Sequence, residues 1–343
     1  MLNPPPQSYC HIDAAGPAQL VVVIDTEEEF DWASDFSRSN TAVGAMRWIH
    51  RVQDIFDAYH IIPVYVVDYP VASQPAGYRP LQELHASGRA LIGAHLHPWV
   101  NPPYTEPVNR RNSFPGNLPP ALEAAKLQVL SDCIGEHFGS RPVIYKAGRY
   151  GVGPHTATIL EEQGYEVDVS LCPHMDYAAE GGPNFLYSTI WPYWFGRQRA
   201  LLELPLTIGF TGLLRAWGST MYGLASQVPL ARRLHAVGVL SRLGLLNKVW
   251  LSPEGYLASE YITLVRTLYR DGVRIFSFAF HSPSVEPGHT PYVRSEHDLE
   301  VFLASCRQFF DFFMGDLGGQ PTTPLALKEH LTMSCGMFPQ EAS

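Results

Sequence analysis

Seven short stretches of nearly unbroken apolar sequence constrain this chain most: Gln19–Asp25, Ile61–Val67, Ala90–His95, Pro142–Tyr145, Tyr165–Leu171, Leu201–Leu206 and Val273–His281. They are rich in Val, Ile, Leu, Phe and Tyr and show little polar alternation, the pattern of strands covered on both faces. Helical patterns lie between them. Ala42–Tyr59 sets Trp48, Ile49, Val52, Ile55 and Phe56 on one face, and Pro120–Phe138 does the same with Leu122, Leu127, Leu130 and Ile134. Ser252-Pro253-Glu254 reads as a helix start, with Leu257, Tyr261, Leu264, Val265 and Leu268 at helical spacing and Gly272 past the end. A last helix is expected from about Glu296 to Phe313. This alternation predicts right-handed βαβ units, and so an α/β barrel or a doubly wound sheet.

With 343 residues, 46% hydrophobic and 17% charged, the chain is an ordinary globular protein able to bury a large core. Its 24 basic and 33 acidic residues give a net charge of −9, which argues against a general nucleic-acid binder. The five cysteines are scattered and form no CxxC, so neither a disulfide framework nor a zinc knuckle is expected. Met1 to Gln7 lacks a basic start and an apolar run, and no apolar stretch is long enough to cross a bilayer. A cytoplasmic protein is the expectation.

Two segments interrupt the pattern. Residues 98–120 are rich in Pro, Asn and aromatic side chains and read as a long surface loop. Residues 208–251 carry Arg215, Arg232, Arg233, Arg242 and Lys248 and no Asp or Glu. This basic insertion, helical in its second half, is either a covering element with solvated cations or a contact for an anionic partner, such as a phosphate-bearing substrate or a membrane surface.

The chemistry-bearing residues gather at strand ends. The first strand runs into Asp25-Thr26-Glu27-Glu28-Glu29-Phe30-Asp31-Trp32, where clustered carboxylates raise one another's pKa unless a cation sits among them. Asp25 and Glu27, two apart on extended chain, point the same way. The third strand ends in His95-Leu96-His97-Pro98-Trp99, again a same-face pair, and two neutral imidazoles at this spacing can reach one divalent ion. Two nitrogens and one carboxylate leave a position open for water, the catalytic rather than the structural pattern. Lys146 and Arg149 follow the fourth strand, where they can hold the acids ionised; Arg149 reads equally well as a surface residue at a helix start. Asp168 lies inside the apolar fifth strand and needs a partner. His281 ends the last strand, as a core histidine or as a general acid tuned by its pocket. In parallel α/β folds, sites form where the carboxyl ends of the strands converge.

The order of these motifs resembles the polysaccharide deacetylases, the NodB-homology group of carbohydrate esterase family 4, over roughly Leu20 to Pro291. In detail, Asp25 to Trp32, Gly93 to Trp99, Ala147-Gly148-Arg149-Tyr150-Gly151, His281 to Ser284 and Gly288 to Tyr292 resemble a divergent bacterial subgroup associated with surface-glycan genes. The resemblance implies a single domain over residues 1–343: a distorted, TIM-like (β/α) barrel of seven strands, here with the loop and helical insertions described above. It further implies a bound divalent metal, zinc being the expected ion, and hydrolysis of N-acetyl groups on a sugar or polysaccharide precursor. By position it makes Asp25 the general base, His95 and His97 metal ligands, Lys146 the cation that steadies the base with Arg149 sharing or replacing it, Asp168 the fourth-motif acid that orients His281, and His281 the general acid. Thr26 stands where the family has its second, metal-binding Asp, so Glu27 is the substitute ligand; the two histidines are separated by one residue instead of three. Trp99, Tyr104 and Tyr150 offer apolar faces to a sugar ring, and Arg232 and Arg233 could meet the phosphates of a phosphate- or lipid-linked substrate. The alternatives are a glycan-binding barrel that has lost its chemistry and a metal-dependent amidohydrolase acting on a non-sugar C–N bond.

Overall fold

In the computed structural model, which describes residues 4–197, 199–227 and 236–334, seven parallel strands form one curled sheet. They are β1 (Gln19–Thr26), β2 (Val64–Val67), β3 (Leu91–Leu96), β4 (Ile144–Ala147), β5 (Val167–Asp168), β7 (Leu201–Glu203) and β10 (Ile275–His281), in the order β10-β1-β2-β3-β4-β5-β7. β6 (Tyr193–Phe195) pairs antiparallel with β7 at one edge, and the short β11 (Gln320–Pro321) adds to β1. The protein is thus an α/β barrel, open between β7 and β10.

Alternate side chains of the strands enter two separate cores, and this explains the unbroken apolar runs. Val21, Val23, Val64, Val66, Ile144, Val167 and Leu202 pack in one cluster, on the face that continues to Asp25. Leu20, Val22, Ile24, Tyr65 and Val67 enter a larger cluster with the helices. Of the helix expected over Ala42–Tyr59, His50–Ala58 is α-helical and Gly44–Trp48 is a 3-10 turn before it, while Pro120–Phe138 is helical as the periodicity predicts. Pro75–Ala86 is a helix that the sequence hides, because Gly77 and Pro80 break its pattern; a Cβ on Gly77 would lie 2.4 Å from the Val71 carbonyl oxygen. The helix expected from Glu296 spans Glu296–Phe310 and opens with Ser295 accepting from the Asp298 amide, but it is not the last: Pro324–Ser334 is helical after it.

The break between β7 and β10 is bridged by irregular chain. The Ser277 amide donates to Thr207 Oγ1 at 2.8 Å and the Ala279 amide to the Leu251 carbonyl at 3.2 Å, so residues flanking the basic insertion stand in for a strand. The insertion itself opens and closes with strands. β8 (Ile208–Thr211) and β9 (Asn247–Trp250) form an antiparallel hairpin, with Gly218–Gln227 and Ala236–Arg242 helical between them. Arg232 and Arg233 lie outside the described residues. Ser252-Pro253-Glu254 does not start a helix: Leu257 caps one spanning Ala258–Arg270, and the preceding residues form a buried bend. Ser252 Oγ is used within that bend, accepting from the Glu254 amide. Among the described residues, no helix is long and apolar enough to cross a membrane.

Gly93 marks a close approach between neighbouring strands. A Cβ there would lie 2.8 Å from Val66 Cγ1 and 2.9 Å from the Ile144 carbonyl oxygen. Gly93→Ala is therefore expected to lower unfolding stability by about 1–3 kcal/mol, read as an earlier midpoint in urea; an unchanged midpoint would contradict this packing.

Candidate active site

The parallel register places the strand-end residues side by side. Asp25 is the register partner of His281, and His95 that of Lys146. Glu27 follows the end of β1, and His97 the end of β3. Asp25, Glu27, His95, His97 and His281 open into one cleft of about 670 Å³.

His95 Nε2 and His97 Nε2 lie 3.0 Å apart, and Glu27 Oε2 is 3.6 Å and 3.4 Å from them. The three residues are buried. His95 Nδ1 faces the Lys146 carbonyl at 3.1 Å, which can only accept, and His97 Nδ1 faces Glu28 Oε2 at 2.8 Å. Each ring thus carries its proton on Nδ1, and each Nε2 presents a lone pair. Two lone pairs and a carboxylate converging this closely in a buried place repel one another unless a cation lies between them. Glu27 is raised above the usual carboxylate range, chiefly by burial, and no Lys or Arg among the described residues pairs with it. This donor set, two imidazoles and one carboxylate, fits a divalent metal ion with an open position.

Asp25 is compensated differently. Burial alone would raise it, but Lys146, His95 and His281 outweigh burial and hold it below the usual range. Lys146 Nζ donates to both of its oxygens, at 2.5 Å and 2.8 Å.

Sequence reading missed three acidic residues. Glu28 Oε1 accepts from Trp99 Nε1 at 2.7 Å while its Oε2 holds His97. Asp68, next after β2, accepts from the Glu28 amide and caps a helical turn by accepting from the Val71 amide. Burial raises Glu28 to about 8 and Asp68 well above the carboxylate range. The contact between the two carboxyls raises Asp68 and lowers Glu28, so the proton of this pair favours Asp68. Glu254 is the third: it accepts from His281 Nδ1–H at 2.8 Å and from Ser284 Oγ at 2.5 Å. Asp68 lies directly after a strand end, the signal that found the others, whereas Glu254 lies in the bend that follows β9.

Glu254 corrects the expected partner of His281. Asp168 makes no contact with that ring; it accepts from the amide and hydroxyl of Ser170 and shares a buried carboxyl pair with Glu203, its register neighbour on β7. Its side chain lies on the face of β5 opposite Val167 and Val169, away from the cleft. His281 Nε2 instead faces Asp25 Oδ2 at 3.7 Å, with Trp32 edge-on to the ring at 4.8 Å. Burial tends to lower His281, but Glu254, Glu27 and Asp25 outweigh it and raise the imidazole to about 10.

Other expected roles shift as well. Arg149 lines the cleft, yet its guanidinium pairs with Glu180 and donates to Ser113 Oγ rather than touching Asp25. Arg149 and Tyr150 both have positive φ (52° and 58°), a turn that carries Tyr150 into the cleft against Tyr177. Tyr104 does not line the cleft; its hydroxyl donates to the Val100 carbonyl and its ring lies under Arg38 and Lys126. Trp99 lines it but is only 2% exposed, stacked on His97 at 4.3 Å and covered by Phe36.

The fold is shared with solved structures. A protein described as a polysaccharide deacetylase from Mycobacterium smegmatis matches with a TM-score of 0.55 at 15% identity, covering 100% of this chain and 99% of that one. The fold is that of the polysaccharide deacetylases. A Pseudomonas aeruginosa PAO1 protein described in the same terms matches with a TM-score of 0.50 at 15% identity (92% and 91% covered), and Puue allantoinase with 0.52 at 16% (97% and 95% covered). No protein-family model and no curated protein matches the sequence.

Glu28 orients His97 and so should govern metal affinity. Replacing Glu28 by Gln is expected to weaken zinc binding about 10–100-fold in chelator competition, while His95→Ala/His97→Ala removes it. Unchanged affinity in the double variant would place any bound zinc elsewhere.

Proposed function

We propose that this protein is a metal-dependent hydrolase that removes N-acetyl groups from a sugar or glycan precursor. The observation that carries the reading is one juxtaposition. A metal-ready trio, Glu27, His95 and His97, stands between a lysine-held carboxylate, Asp25, and a glutamate-held imidazole, His281. The shared fold and the order of motifs resembling the polysaccharide deacetylases support the choice of amide and sugar.

Glu27, His95 and His97 would hold a divalent ion, which would supply Lewis acidity toward the attacking water and the acyl carbonyl. Asp25, kept ionised by Lys146, accepts the proton of the attacking water. Its second neighbour, His281, is the acid: Nδ1–H is committed to Glu254, leaving Nε2–H to protonate the departing amine. Glu254 fixes this tautomer and ring plane, and Trp32 limits water on one side of the ring. Asp25 gains one proton and His281 gives one up, so the step balances as acetic acid and a free amino sugar form. Passing the proton from Asp25 back to His281 Nε2, which faces it at 3.7 Å, restores both groups. Trp32, Tyr150 and Tyr292 are the aromatic faces in the cleft suited to a sugar ring.

With zinc added, the protein is expected to release acetate from N-acetylglucosamine or its oligomers, and Asp25→Asn and His281→Ala each to lose about 10²–10⁴-fold in kcat. Rates equal to the wild type would remove those roles. Glu254 is the largest contribution raising His281, so Glu254→Gln should lower that pKa and move the alkaline limb of the kcat profile to lower pH; an unmoved limb would mean that His281 is not the acid.

A further inference from the structure

Two side chains with permanent positive charge line the cleft, Arg149 and Lys248. Arg149 is neutralised by Glu180. Lys248 is not: no carboxylate among the described residues lies within 4 Å of it, and Nζ has the His174 carbonyl at 3.3 Å and Met175 Sδ at 3.0 Å as acceptors. A thioether is a weak acceptor, so the ammonium keeps unused donor capacity. The side chain is largely withdrawn from water over the Tyr222 ring, and burial lowers its pKa. Removing a charge from water with so little compensation is costly. A carboxylate could have offset that cost, yet residues 208–251 contain none, on a chain whose net charge is −9. The β8–β9 register fixes the direction: Lys248 faces Phe210, and with Trp250 and Ile208 it belongs to the hairpin's contribution to the cleft wall.

From this geometry we infer that Lys248 is a binding site for an oxyanion, a phosphate or a carboxylate, carried by the acylated sugar. The inference rests on the reading of the cleft as a sugar site and narrows its substrate to anionic sugars. The anion completes the coordination that the carbonyl and thioether leave unfilled. Tyr150, Tyr177 and Trp250 line the same cleft beside it. Discrimination then arises at the site itself: a neutral sugar leaves the ammonium uncompensated, an anionic one satisfies it.

The test uses zinc-loaded protein and four probes: N-acetylglucosamine, its 1-phosphate, its 6-phosphate and N-acetylmuramic acid, whose charge is a carboxylate. Calorimetric affinity reads the inference, and acetate release reads the hydrolytic function. At least one anionic probe should bind tenfold or more tighter than N-acetylglucosamine. That ratio should fall to about one in Lys248→Met and persist in Lys248→Arg, both variants melting as the wild type does. Which probe is preferred separates phosphate from carboxylate recognition. If no probe is hydrolysed but the charge-dependent ratio holds, the anion site stands and the deacetylase reading falls. Equal affinity of the wild type for neutral and anionic probes, or a ratio unchanged in Lys248→Met, overturns the inference even where acetate is released.

Discussion

Four carboxyl groups, Asp25, Glu27, Glu28 and Asp68, are buried together at the mouth of this barrel, and the rest of the site is organised by how each is compensated. Burying an uncompensated carboxylate costs several kcal/mol. Asp25 is compensated by a lysine reaching across from β4, and Asp68 by keeping its proton. Two nitrogen donors, from Trp99 and His97, satisfy Glu28. Glu27 alone faces lone pairs instead of donors, and there the protein leaves room for a cation. The proposed function divides the chemistry by the same logic, giving the proton to the lysine-held carboxylate and the metal to the one that lacks a cation.

The parallel ladders make this arrangement possible. Fixed register sets Asp25 beside His281 and His95 beside Lys146, so side chains distant in sequence meet without any long loop having to place them. Gly148 completes the fit: a Cβ there would lie 2.3 Å from the Leu96 carbonyl oxygen and 2.6 Å from His97 Cδ2, so only glycine allows β4 to approach the second histidine this closely. Where the ladder is missing, between β7 and β10, the chain spends its freedom on the cleft wall. Thr207, Leu251 and the hairpin that carries Lys248 and Trp250 enter there.

Much of this was legible in the sequence because the relevant signals are local. Apolar runs covered on both faces announce parallel strands, and i, i+2 pairs at their ends announce a shared face; Asp25, Glu27, His95, His97 and Lys146 were found that way and meet in one place. The residues that escaped were of two kinds. Glu28 points away from Glu27 by the same alternation, and only the fold reveals that His97 lies on that side. Glu254 was read as the first turn of a helix because Ser-Pro-Glu is a good helix start, whereas tertiary contacts with His281 and Ser284 hold it in a bend. Asp168 misled in the opposite direction: a charge in an apolar strand needs a partner, but the partner is Glu203 next door rather than the distant imidazole.

Anomalous diffraction at the zinc edge, from crystals grown with zinc, tests the central claim most directly. The account predicts a peak about 2.0–2.2 Å from both Nε2 atoms of the 95/97 pair and from a Glu27 oxygen, with the Asp25 carboxylate remaining on Lys146. A peak held by Asp25 in place of Glu27, or no peak between the two imidazoles, would contradict it.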